Sequence, residues 1–91
     1  MYQIKSYSFK RAKELGVEIK PSKRKGKKID VYMNNNYITS IGALGMNDYP
    51  TYIEKNGLVY ANERRLLYHK RHKKDLNKPN SAGYYAYHIL W

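Results

Sequence analysis

A small α+β fold is predicted for this chain of 91 residues, and three features predict it. A two-residue alternation runs through "KKIDVYM" (27–33), where Ile29, Val31 and Met33 point one way and Asp30 and Tyr32 the other. Asparagines 34–36 tolerate left-handed φ, and "YITSI" (37–41) returns, so the pair reads as a β-hairpin. Downstream, Leu58 to Asp75 contains no Gly or Pro and is rich in Leu, Arg, Lys, Glu and Ala, the composition of a long helix.

The remaining elements follow in order. Residues 1–7, "MYQIKSY", alternate loosely and suit a short strand. From Ser8 to Leu15 the pattern is helical: Ser8 can cap, Phe9, Ala12 and Leu15 share a face, and Gly16 supplies the positive φ that ends the helix. "VEIKPS" is extended. "KRKGKK" (23–28) reads as an exposed loop. After the hairpin comes the loop "GALGMN". Asp48 then caps a short helix through "YPTYIEKN", with Pro50 in its first turn and Gly57 at its end. "LNKPN" breaks the long helix, and Ser81 caps a last one over "AGYYAYHIL". No internal repeat is visible. The expected architecture is one domain, residues 1–91. In it the hairpin, extended by 1–7 or 17–20 into a small antiparallel sheet, packs against the long helix and the C-terminal helix.

Charge narrows the range of partners. Eighteen Lys+Arg against seven Asp+Glu give a formal net charge of +11, which favours polyanions: nucleic acid, an acidic protein face or an anionic surface. The positive charge is spread, with ten Lys+Arg in residues 1–45 and eight in 46–91. There is no cysteine, which removes disulfide and thiolate chemistry. No apolar run approaches the roughly 20 residues of a membrane span. Hydrophobic residues make up 42% and there are 11 tyrosines. A disordered polycation would be poor in aromatics, so several of these rings are expected half-buried at the surface.

The densest chemistry is "ANERRLLYHKRHKKD" (61–75). Its apolar stripe, from Val59 through Leu66 and Leu67, fades after Tyr68, and the last two turns are basic almost all round. Cations also suit the negative end of a helix dipole. The ordinary reading of such a stretch is a solvated helix end; the functional one is a contact surface for an acidic partner. Lys23, Arg24, Lys25 and Lys27 in the first basic run are the candidate contact residues there. Arg64, Arg65, Lys70, Arg71, Lys73 and Lys74 are those of the second. His69, His72, Asp75 and His88 are the candidate metal ligands, but H-x-x-H alone lacks the third ligand that zinc needs, so no metal and no cofactor are expected. No Ser/His/Asp order, phosphate-cradling glycine loop or acidic metal cluster is evident, and neither catalysis nor a small-molecule substrate is expected. Tyr84, Tyr85, Tyr87 and Trp91 can close the core or stack on bases.

Four segments, "GKKIDVY" (26–32), "SIGALGMNDYPTY" (40–52), "ANERRLLYHKRHKKD" (61–75) and "SAGYYAYHILW" (81–91), resemble the small basic proteins of unknown function encoded by large nucleocytoplasmic double-stranded DNA viruses of algae and amoebae. The resemblance implies a viral origin and presence in the virion, with host cytoplasm or nucleus as the site of assembly. It brings no reaction and no functional residues. Two functions are then expected. The first is a non-enzymatic minor capsid or cement protein that binds capsid or other virion proteins through basic and tyrosine-rich surfaces. The alternative is a nucleic-acid-binding protein that coats or condenses viral DNA.

Overall fold

The computed structural model describes residues 2 to 91 and shows an α+β domain. Its elements are α1 (Ser6–Leu15), β1 (Glu18–Pro21), β2 (Lys27–Met33), β3 (Asn36–Ala43), α2 (Tyr49–Asn56), α3 (Leu58–Arg71), a 3₁₀ turn (Lys73–Asn77) and α4 (Ala82–Ile89). The three strands form an antiparallel sheet in the order β1-β2-β3. The hairpin forms as its sequence requires. Asn34 and Asn35 take φ of 51° and 67°, the left-handed pair of a tight turn whose twist matches its strands. Cross-strand partners Ile19–Val31 and Ile29–Ile41 set the apolar face, and the register slips between Val31 and Tyr32.

That face is covered by α1 and α4. Ala12, Val17, Ile19, Ile29, Val31, Ile41, Tyr85, Ile89 and Leu90 form the core. At Gly42, with φ of 77°, an added Cβ would lie 2.8 Å from Leu90 Cδ1 and 2.9 Å from Lys28 Cδ, so β3 meets α4 where only glycine fits.

Several sequence expectations are corrected here. The strand over residues 1–7 does not form: residues 2–5 lack regular structure, α1 already begins at Ser6, and Met1 lies outside the described residues. Ser8 does not cap. It is buried inside α1, and its Oγ donates to the Ile89 carbonyl at 2.9 Å, a long-range bond that satisfies a carbonyl at the end of α4. Phe9 points outward. Lys27 and Lys28 belong to β2 rather than to an exposed loop, and Lys28 is only 4% exposed. The long helix stops at Arg71, not Asp75, where Asp75 turns back to bond His72 and the chain tightens into the 3₁₀ turn. Nor does α3 cover the sheet. It packs on α2 and the C-terminal segment, and Ala61 is its only buried residue. Val59 and Leu66 are 77% and 71% exposed.

The same chemical change should therefore have opposite consequences at two apolar sites. Val31→Asp places an unpaired carboxylate in the core at a cost of several kcal/mol and should abolish the cooperative thermal transition followed by circular dichroism. Leu66→Asp lies on the wet face of α3 and should shift stability by no more than about 0.5 kcal/mol. Equal effects of the two would mean that the buried face is wrongly assigned.

Candidate nucleic-acid interface

The two basic segments are built on different supports. Asp30, buried in β2, holds the first. Its Oδ1 accepts from Ser22 Oγ and from Ser40 Oγ at 2.6 Å, and its Oδ2 accepts from the Lys23 amide at 3.2 Å. Burial pushes the Asp30 carboxyl up, but these three hydrogen bonds together outweigh it and hold the group below its ordinary pKa. The turn carrying Lys23, Arg24 and Lys25 is thus fixed to the sheet while its side chains stay exposed. Gly26 accepts from the Leu44 amide at 2.9 Å, which joins that turn to the loop after β3.

The second segment ends α3. Lys70 and Arg71 on the helix and Lys73 and Lys74 on the 3₁₀ turn are exposed. Arg64 is half-buried over the Tyr52 ring, 5.6 Å from its centroid. Arg65 is engaged inside the chain: its Nε donates to the Trp91 carbonyl at 2.6 Å and its guanidinium lies 4.8 Å from the Tyr49 ring centre. It braces the segment that ends at Trp91.

Between these supports lies a cleft of about 350 Å³. Lys27, Arg64, Arg71 and His72 line it together with Tyr52, Tyr68, Trp91, Met46 and Asn47. It therefore unites three of the sequence-predicted contact residues, Lys27, Arg64 and Arg71, from distant parts of the chain. Lys23, Arg24, Lys25, Lys70, Lys73 and Lys74 are not among the lining residues. Asp48 is the one carboxylate among the described lining residues, and its charge is matched. It accepts from Lys28 Nζ at 2.8 Å, from the Tyr2 hydroxyl at 2.7 Å and from the Thr51 amide at 3.0 Å. Burial raises the Asp48 pKa, but these bonds and the lysine charge prevail and depress it.

The sequence offered Trp91 as a stacking ring but did not place it against Tyr68. Tyr68 is sandwiched: Trp91 stacks on one side with centroids 4.4 Å apart and planes 5° off parallel, and His72 stacks at 4.2 Å and 20°. The Tyr68–His72 half was legible, because residues four apart share a helix face. The arrival of Trp91, 23 residues further on, was not. His72 Nδ1 lies 3.2 Å from Asp75 Oδ2, and Asp75 rests against Gly83, where a Cβ would meet its Cγ at 2.7 Å. His69 stacks on Tyr87 at 4.1 Å, and burial, aided by the Arg65 charge, lowers its pKa. His88 lies 3.5 Å from Arg11 Nη2, and burial lowers its pKa too. Among the described residues no three His, Asp or Glu side chains converge as metal ligands, and no helix is long and apolar enough to cross a membrane.

What this arrangement can do chemically is bind. Cations with little compensating negative charge surround flat rings, the combination that engages phosphate and planar groups together. Comparison with family models, curated proteins and solved structures found no match to this chain, so the functional reading rests on this geometry and on the chain's charge.

Two predictions follow from the buried groups. Asp48→Asn keeps a capping oxygen but leaves Lys28 buried and unpaired, and should cost about 3–5 kcal/mol in denaturant titration. Stability should also fall in two stages on acidification. The folded-state pKa values of His69 and His88 are lowered, so their contribution is complete above the ordinary histidine value of about 6.5 and is lost as pH falls below it. Those of Asp30 and Asp48 are lowered as well, so theirs is complete above about 3.9 and is lost below it. His69→Phe, which keeps a ring against Tyr87, should flatten the first stage of a melting-temperature profile and leave the second. A profile unchanged by that substitution would contradict the assignment.

Proposed function

We propose that this chain is a non-enzymatic nucleic-acid-binding protein. The observation that carries this reading is the cleft in which Lys27 from the sheet and Arg64 and Arg71 from α3 converge beside stacked rings, with the one carboxylate among the described lining residues paired with Lys28. The exposed cations Lys23, Arg24 and Lys25 on one side and Lys70, Lys73 and Lys74 on the other extend the positive surface beyond the cleft. Arginine suits the contact because its planar fork makes paired hydrogen bonds to phosphate. Carrying the sequence resemblance forward, we take the virion of a large DNA virus as the setting and the viral genome as the nucleic acid.

A second reading, a minor capsid or cement protein held between acidic neighbours, is favoured by the wet apolar stripe of α3, where Val59 and Leu66 are largely exposed and Leu67 about half. Under that reading a neighbouring virion protein covers the stripe and pairs with the same cations.

The two readings separate by salt and by location. Binding to DNA of arbitrary sequence should weaken steeply with ionic strength, because each phosphate neutralised releases about 0.9 of a counterion. Arg71→Glu should lower affinity at every sequence and make the slope of log K against log salt shallower by about one or more. In fractionated particles the chain should leave with the genome. Weak, salt-insensitive DNA binding, with the chain retained on emptied shells and released by Leu66→Asp, would establish the capsid reading instead.

A further inference from the structure

The cleft holds more than positive charge. Trp91, Tyr68 and His72 form a column of three near-parallel rings, and Tyr68 has both faces covered. His72 ends the column. Among the described residues its ring has one aromatic partner, Tyr68, on one face, and its side chain is 40% exposed. The ring's orientation is held by the Asp75 carboxylate at 3.2 Å, itself seated on the first turn of α4 at Gly83. It is a pre-positioned flat surface, which loses little conformational freedom when another ring is laid on it.

The cations around it add a second requirement. Lys27, Arg64 and Arg71 line the same cleft, and among the described residues none of the three forms a salt bridge to a carboxylate. A ligand that answers both features has a flat ring and an anionic group attached to it at short range. An acidic peptide would meet the cations and leave the ring face unused. A volume of about 350 Å³ lies at the small end of ligand clefts and suits one ring with its appended group.

The geometry points to a pocket for a single unpaired nucleobase and its phosphate, with the base extending the column on His72 and the phosphate met by Arg71 and Lys27. This deepens the nucleic-acid reading and rests on it. A base inside a duplex is already stacked on both faces, and extracting it costs a few kcal/mol. The chain should therefore prefer single strands to duplexes of equal charge. The same chemistry is offered by a free nucleotide and by one residue of a strand.

Trp91 is the one tryptophan and sits in the column, so its fluorescence reports on the site. The full chain would be titrated, at one fixed salt concentration, with a short oligothymidylate, an abasic strand with the same number of phosphates, the corresponding duplex, and thymidine monophosphate. The oligothymidylate should bind about 5- to 150-fold more tightly than the abasic strand, the range that base–aromatic stacking supplies, and should alone of these two change Trp91 emission. The duplex should fall below the single strand. His72→Leu should erase the preference for base-bearing strands while abasic binding persists. A response to thymidine monophosphate at comparable concentration would identify the free nucleotide as sufficient, whereas a response to the strand alone would assign the pocket to the polymer. Equal affinity for base-bearing and abasic strands would overturn the pocket and leave the charge-driven function standing. Absence of binding to any of the strands would overturn both.

Discussion

The buried ion pair between Lys28 and Asp48 holds the separate halves of this small domain together. Lys28 is 4% and Asp48 1% exposed, at 2.8 Å. Removing two charges from water is expensive, and such a pair persists only where hydrogen bonds satisfy what remains of it. Here Asp48 also accepts from Tyr2 and caps α2 through the Thr51 amide, while Lys28 lies over the Tyr2 ring, 5.1 Å from its centre. One carboxylate thereby ties the N-terminal segment, the central strand and the start of α2. The next residue continues the linkage, since the Tyr49 amide donates to the Leu90 carbonyl at 3.0 Å. Because only Gly57 separates α2 from α3, fixing where α2 begins also fixes where α3 runs, and with it Arg64, Arg71 and Tyr68.

This dependence explains which parts of the fold were legible in the sequence. Features decided within a few residues were readable: Asn34–Asn35 in the hairpin turn, Gly16 after α1, and Asp48 and Ser81 as caps. Each is a local hydrogen bond or a backbone angle that few residue types accept. What failed was decided over long distances. Ser8 had a local cap available, yet it bonds Ile89, 81 positions away. Lys28 stands in a charged run and is buried because a carboxylate 20 positions on awaits it. α3 has apolar residues at helical spacing, but spacing cannot say whether a stripe faces a core. The sheet needed only two helices to cover it, and α1 and α4 do so with Ala12, Tyr85 and Ile89.

The candidate site divides along the same line. The cations were visible as charge, and three of them, Lys27, Arg64 and Arg71, line one cleft. Arg65 looked equivalent to Arg64 in sequence, but one step along a helix turns a side chain by about 100°, and Arg65 points to the Trp91 carbonyl instead. The ring column was hidden because its members come from the end of α3 and the end of the chain. The tyrosine excess had shown that rings must sit at the surface without showing that they would stack on one another.

Charge and aromatics are thus linked physically, not merely adjacent. With a net charge of +11, the chain carries self-repulsion that disfavours a compact state. Beside the Lys28–Asp48 pair, the cleft walls are held by groups that need no carboxylate: Tyr68 between Trp91 and His72, the Tyr49 ring beneath Arg65, and the Tyr52 ring beneath Arg64. Ring faces are weak electrostatic partners for a guanidinium. They seat the arginines without neutralising them, as a carboxylate would. Seven acids are too few to neutralise eighteen cations, and the two most deeply buried carboxylates, Asp30 and Asp48, are committed to the Ser22–Lys23 turn and to Lys28. Arg64 and Arg71 therefore line the cleft without a carboxylate partner among the described residues.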